Sequence, residues 1–575
     1  MVSVFSRHLF SFSAAHKNKI LLRLIMHLYS RHFISILLVV CLAACSKGEF
    51  ADVDSPPLVK ANQQSSNVWF VSGEDKIEAA IKQHQAINNK KGSAKNIILF
   101  VGDGMGLSTV TAARILEGQR NGQSGEENQL SFDRFAFSGL SKTYNVNAQT
   151  PDSAGTMTAL ITGVKTDAGV IGVAEGVTYD DCSSVAGNEL LTALELAEIA
   201  GMSTGIVTTT RITHATPAAT YAKSANRDWE DISDMPVSAI EAGCKDIADQ
   251  LVSFERNLEA RFSGLDVDGL EVVMGGGRRH FLAKDAKQNS AEVTSGIEGD
   301  RTDNRNLIQE WQAQYPDGMY VMDQAGFDAI DTQATPHVFA LFNESNMRYE
   351  ADRKNDAAGE PTLSEMTKTA IALLDNNEKG FFLVVEGGRI DHGHHASNAY
   401  NALGDTIELS NAVAVAVENT NANETLIIVT ADHSHVFTMA GYPRRGNPIL
   451  GKVINIGSSE YALADDNLPY TTLGYMNGLG HRHEVGKTDS DSVYSDKKGA
   501  ITGRQNLTDI DTTNAGFHQE ALVPLESETH GGEDVGIYAQ GPGAHLVTGV
   551  HEQNVIFHIM NHAGNLSAKA DQALR

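Results

Sequence analysis

The sequence predicts an α/β fold: a large, mostly parallel central sheet flanked by helices, with one inserted accessory region. Three observations predict it. Short continuous apolar runs recur along the chain, and runs without polar–apolar alternation read as strands buried on both faces. Patterns with helical spacing lie between several of them, the alternation that builds a parallel sheet. Several runs are followed at once by Gly, Asp, Glu or His, and open α/β sheets bind ligands beyond the carboxyl ends of their strands.

With 575 residues the chain is long enough for one large domain with insertions or for two domains. Residues 1–45 read as targeting sequence. Lys17, Lys19, Arg23 and Arg31 precede an apolar run over 33–41, which ends in Leu42-Ala43-Ala44-Cys45 and gives way to polar Ser46-Lys47-Gly48-Glu49. This ending resembles a bacterial lipobox. It implies cleavage before Cys45, lipid on its sulfur, and an exported, membrane-anchored lipoprotein of the periplasm or cell surface. An uncleaved anchor or a plain secretory signal is the alternative, although the run falls short of the ~20 residues a span needs. The basic stretch is long for a signal, so Met26 competes with Met1 as the start.

Residues 46–94 read as a polar linker and an amphipathic helix over 75–84, with Ile77, Ala80 and Ile81 on one stripe. The main body, 95–440, carries predicted strands at 96–101, 205–210, 270–274, 381–385 and 425–429. Predicted helices lie at 189–200, 363–374 and 402–417. Residues 441–528 are rich in Gly, Asp, Asn and Thr and read as the insertion. Residues 529–575 return to the main body with a strand at 535–539.

Lys and Arg number 45 against 72 Asp and Glu, a formal charge of −27, so the surface repels phosphate backbones and no nucleic-acid partner is expected. A protein this acidic that acts on phosphate esters needs local positive charge, and metal ions are one source of it. Apart from Cys41 and Cys45 the only cysteines are Cys182 and Cys244. In an oxidising compartment the pair suggests a disulfide; two buried thiols are the alternative.

The groups that carry chemistry follow the runs. After the first comes Gly102-Asp103-Gly104-Met105-Gly106. After the fourth comes Glu386-Gly387-Gly388-Arg389-Ile390-Asp391-His392-Gly393-His394-His395. After the fifth comes Asp432-His433-Ser434-His435. Glu528-Thr529-His530 precedes the last strand, and His214-Ala215-Thr216 follows the second. Buried and unpaired, such carboxylates would be very costly; bound to divalent cations they are not. Mixed Asp/His ligation suits zinc and all-oxygen ligation suits magnesium. In a helix, Asp391 and His395 share a face at i and i+4. Ser153, in Pro151-Asp152-Ser153-Ala154-Gly155, sits at a predicted helix start, where the positive N-terminal field favours an alkoxide and an incoming anion. An ordinary N-cap is the alternative. Arg227 is the candidate anion clamp, since a guanidinium fork matches two phosphate oxygens.

Together these segments, with Thr162-Gly-Val-Lys-Thr166, resemble the alkaline phosphatases, in order, from about Lys95 to about Phe557. The wording is closer to the animal enzymes than to the best-known enteric bacterial one: His214 and His392 stand where the enteric enzyme has Asp and Lys. The resemblance implies hydrolysis of small phosphate monoesters with two zinc ions and one magnesium. Asp391, His395 and His530 match the ligands of the first zinc. Asp103, Asp432 and His433 match those of the second. Asp103, Thr216 and Glu386 match those of magnesium. Ser153 matches the nucleophile and Arg227 the phosphate clamp. His435 matches a residue that orients a zinc ligand, and His214 and His392 fall around the magnesium site or over the phosphate. Cys182 and Cys244 match a disulfide of the animal enzymes. Residues 441–528 match their crown-like insertion, which implies a homodimer. Their extra calcium site is poorly matched, and no calcium is expected. A phosphodiesterase, sulfatase or phosphomutase on the same scaffold, or a lipoprotein that only captures phosphate or zinc, are the competing readings; the modified Cys or Ser motif a sulfatase needs is not seen.

Overall fold

The computed structural model describes Lys82, residues 93–291, 293, 296–480, 482–483 and 503–575. The signal, Cys45, the linker and all but Lys82 of the 75–84 helix lie outside the described residues. Among those described, no helix is long and apolar enough to cross a membrane.

In chain order the strands are β1 (Asn96–Gly102), β2 (Phe137–Lys142), β3 (Ser203–Arg211), β4 (Val272–Gly276), β5 (Met319–Val321), β6 (Val338–Leu341), β7 (Phe381–Gly387), β8 (Thr425–Ala431), β9 (Ser434–His435), β10 (Phe437–Met439), β11 (Leu473–Gly478), β12 (Arg482–His483), β13 (Phe517–His518), β14 (Ala521–Pro524), β15 (His530–Gly531), β16 (Val535–Gln540) and β17 (Gly549–Glu552). Ten form one sheet in the order β17-β2-β16-β8-β1-β7-β3-β4-β6-β5. Only β16 runs against its neighbours, β8 and β2.

The central strand shows why the runs lack alternation. Ile97, Leu99 and Val101 pack into one core with Phe382, Val384, Leu426 and Ile428. Ile98 and Phe100 pack into the other with Leu383, Val385, Ile427 and Val429. Helices Ser153–Thr162, Ala193–Ile199 and Val555–Gly564 cover the first face, and Leu107–Arg120, Leu363–Leu374 and Ala399–Glu418 the second. Helix Leu363–Leu374 matches its predicted bounds, set by a Thr362–Glu365 capping box. The predicted 189–200 helix begins later, at Ala193, because Thr192 and Glu195 form the same box there. β2, β5, β6 and β17 were not predicted. β2 is largely half-exposed and mixed in polarity, and the others have three or four residues, too few for a periodic signal.

Within the 441–528 region, β11 pairs parallel with β14 and β12 pairs with β13, and β11 also pairs antiparallel with β10, which precedes the region. Just past it, β15 pairs with β9 and sets His530 opposite His435. Cys182 and Cys244 are joined in a disulfide.

Candidate metal centre and active site

Sheet register assembles the site. Gly102 on β1 lies opposite Gly387 on β7 and Ala431 on β8, so Asp103 and Asp432 leave their strands side by side. Gly104 turns the chain with φ +68° and gives its N–H to Asp432 Oδ1 at 3.0 Å. A Cβ there would fall 2.3 Å from His435 Nε2, so the turn accepts only glycine. His433 Nε2 lies 3.2 Å from Asp103 Oδ1 and 3.5 Å from Asp432 Oδ2, all three side chains being fully buried. Burial, then the charges of Asp432, Asp391 and Glu386, pushes the Asp103 carboxyl well above the usual range.

The second cluster starts on helix Arg389–His395, which places Asp391 and His395 one turn apart as predicted, with His395 Nε2 3.3 Å from Asp391 Oδ1. The β15–β9 pairing delivers His530, whose Nε2 lies 3.4 Å from the same oxygen and 3.1 Å from His395 Nε2. The other nitrogens settle the tautomers. His395 Nδ1–H donates to the Glu528 carbonyl at 2.6 Å and His530 Nδ1–H to the Pro151 carbonyl at 2.8 Å. Carbonyls only accept, so in the neutral rings both Nε2 lone pairs are left free close to Asp391, an arrangement that fits a shared cation. Against the effect of burial, Asp391 raises His395 to about 9, a measure of how strongly the cluster favours added positive charge. His435 bridges behind it, with Nε2 2.8 Å from Asp391 Oδ1 and Nδ1 2.6 Å from Glu528 Oε2. It fixes the orientation of Asp391.

The third cluster is richer in oxygen. Thr208 and Thr210, alternate residues on one face of β3, both donate to Glu386 Oε2, Thr210 at 3.1 Å. Glu386 Oε1, Asp103 Oδ2 and Thr216 Oγ1 are buried and make no hydrogen bond. Burial pushes the Glu386 carboxyl up to about 7. Three orphaned oxygens, two of them on carboxyls whose pKa burial raises, fit a hard divalent cation. A His214 nitrogen comes within 4.8 Å of the Asp103 and Glu386 oxygens, so an imidazole stands among these donors. His214 Nε2 also faces Arg227 Nη2 at 3.2 Å, and the His392 ring lies 5.5 Å from that of His214.

Ser153 opens helix Ser153–Thr162 but does not cap it: Asp152 is the cap, its Oδ1 accepting Gly155 N–H at 3.1 Å. The Ser153 hydroxyl is therefore left to the site, 3.0 Å from His433 Nε2 and 3.3 Å from Asp103 Oδ1. Asp152 Oδ2 holds Arg227 Nη1 at 3.2 Å and so brings the guanidinium to the same helix end.

These contacts bring Asp103, Ser153, Arg227, Asp391, His395, Asp432, His433 and His530 into one neighbourhood, with Glu386 and Thr216 beside Asp103. Sequence reasoning missed Thr208, Thr210, Asp152 and the Glu528 side chain as supports. Glu528 lay inside a quoted motif, but nothing in the motif marks which carboxylate faces an imidazole. His394, from the same His-rich segment, points away, to Tyr475 Oη and Thr109 Oγ1.

The family model described as alkaline phosphatase matches residues 94–566. The tissue-nonspecific alkaline phosphatase of Gallus gallus is 42% identical over 516 residues, 89% of this chain and 92% of that protein. The Homo sapiens isozyme is 40% identical over 514 residues, with 89% and 91% covered. Among solved structures, the Thermus thermophilus alkaline phosphatase superposes with a TM-score of 0.56 at 22% identity, over 84% of this chain and 95% of that one. The likeness to that structure is one of fold.

Proposed function

Starting from the chain's membership of the alkaline phosphatase family, as a metal-dependent phosphoric monoester hydrolase, we propose that it works through a phosphoserine on Ser153 with two zinc ions and one magnesium. Asp391, His395 and His530 would hold one zinc and Asp103, Asp432 and His433 the other. Asp103, Glu386 and Thr216 would hold magnesium, with His214 beside them. When bound, the cations supply Lewis-acid charge that lowers hydroxyl and water pKa and neutralises the phosphoryl oxygens.

The residues do the rest. Arg227, steadied by Asp152, takes two phosphoryl oxygens in its fork. Ser153 Oγ gives up its proton and attacks phosphorus in line. The P–O ester bond breaks, the alcohol leaves, and a phosphoserine remains. Water then attacks phosphorus from the vacated side, releasing inorganic phosphate and restoring the Ser153 hydroxyl. The observation that carries this reading is the placement of Ser153 Oγ, free of capping duty, within hydrogen-bond reach of two candidate ligands.

The disulfide supports export, and the lipobox resemblance supports a lipid anchor at Cys45 on a periplasmic or cell-surface protein. Exposed Tyr442, Ile456 and Leu522 in the 441–528 region support its reading as a crown-like insertion that pairs two copies in a homodimer.

The test is rapid quench with a labelled monoester. The wild-type chain should show a burst of acid-stable phosphoprotein. Ser153→Ala should show none while keeping its metal content. A labelled Ser153→Ala protein would end the proposal.

A further inference from the structure

A cavity of about 370 Å³ lies beside the Cys182–Cys244 disulfide, and none of its lining residues belongs to the candidate metal clusters. The buried Glu195 carboxylate is among its lining groups. Oε1 accepts from Arg261 Nη1 at 3.0 Å; Oε2 accepts from Lys223 Nζ at 3.0 Å and from Thr192 N–H at 2.8 Å. Glu195 is committed by its capping box, and two cations share its one negative charge. The cavity interior therefore carries excess positive charge in a protein of formal charge −27. Among the other lining residues Lys245, which donates to Asn257 Oδ1 at 3.2 Å, and Glu189, whose charge acts on Lys223, add one charge of each sign, so the charged groups of the lining sum to +1.

The walls are apolar. Val185, Phe254 and Leu258 are buried and line the space together with the disulfide sulfurs. The size falls in the range of small-molecule sites, which combine apolar walls with a few convergent polar groups. Lys223 and Arg261, their side chains 10% and 30% exposed, share the single Glu195 carboxylate, and a further anion would complete the pairing.

We propose that this cavity is a binding site for a small amphipathic monoanion. Its carboxylate or sulfonate would meet Lys223 and Arg261, and its apolar body would lie against Phe254, Leu258 and Val185. Arg261 supplies the geometric selectivity, since only one of its five N–H donors is used by Glu195 with the recorded geometry. The disulfide ties the two rims, the chain at Cys182–Val185 and that at Ala242–Cys244, and so holds the cavity open.

The test is titration of the full chain with 4-phenylbutyrate by calorimetry and with 1-anilinonaphthalene-8-sulfonate by fluorescence. We expect one saturable site per chain, on which the two probes compete. Arg261→Ala should weaken both by about tenfold or more, as loss of a charge-assisted contact does. Val185→Trp should abolish binding by filling the space. Unchanged phosphatase activity in both variants serves as the folding control, and Ser153→Ala should bind the probes normally. Absence of a saturable site, or binding indifferent to both cavity variants, overturns the proposal.

Discussion

The imidazole rings of His433 and His530 stack with centroids 3.7 Å apart and planes 18° from parallel. The two residues come from different clusters, one after β8 and the other on β15. Burial, then the neighbouring His433, holds His530 below its usual pKa. The stack therefore brings the two candidate clusters face to face. His530→Ala should lose about one equivalent of metal by mass spectrometry, and its kcat/KM should fall roughly 100-fold or more, the several kcal/mol a bound cation contributes. Full metal content in the variant would show that His530 is not a ligand.

Glu528 is expected to matter as much as some direct ligands. Its Oε2 lies 2.6 Å from His435 Nδ1 and its backbone carbonyl accepts from His395 Nδ1–H, so one residue steadies two imidazoles. Glu528→Gln leaves the carbonyl untouched and tests the side chain alone. Metal affinity, read by competition with a chromophoric chelator, should drop roughly 10- to 100-fold, the usual effect of removing such a support.

Much of this was legible in the sequence, and the division has a physical cause. Strands β1, β3, β4, β7, β8 and β16 were visible because burial on both faces leaves an uninterrupted apolar run. Ligands at their ends were visible because acids and imidazoles directly after such a run have few cheaper explanations. β2 was invisible because its mixed burial yields no period. Thr208 and Thr210 read as ordinary β-branched strand residues, and only the register with Glu386 gives their hydroxyls a task. Asp152 was quoted beside Ser153, but which of the two caps the helix depended on backbone geometry.

Arg227 offers a test of fork against charge. Removing it in Arg227→Ala should lower kcat/KM for a monoester roughly 10- to 100-fold, the loss of a charge-assisted bidentate contact. Arg227→Lys keeps the charge but not the planar fork and should fall between the two. Equal activity of the Lys variant and the wild type would show that charge alone suffices.

The disulfide closes a loop with a sequence separation of 62, and on the chain-entropy model such a closure stabilises by roughly 4 kcal/mol. Cys182→Ser with Cys244→Ser should lower the denaturant midpoint accordingly. None of the six proposed zinc ligands lies in the loop between these cysteines, which carries only Thr216 and His214 at the oxygen-rich cluster and the anion clamp Arg227, so metal at the two Asp/His clusters should survive where the fold does.

Glu271 carries a pH dependence unrelated to the metals. It lies at the opposite end of the sheet, at the start of β4, where its Oε2 accepts Thr204 N–H at 2.7 Å near the buried Glu198. Burial raises its carboxyl to about 8, with the charge of Asp268 adding to the effect. The folded chain therefore keeps a proton between about pH 4.5 and 8 that the unfolded chain has released. Where the folded state binds more protons, stability falls as pH rises, so the penalty grows through that window and is complete above it. Glu271→Gln keeps an acceptor for Thr204 but cannot ionise. Calorimetric unfolding should show it gaining about 1–3 kcal/mol over the wild type at pH 9 and almost nothing at pH 4. An equal difference at both pH values would mean that packing, not ionisation, governs this position.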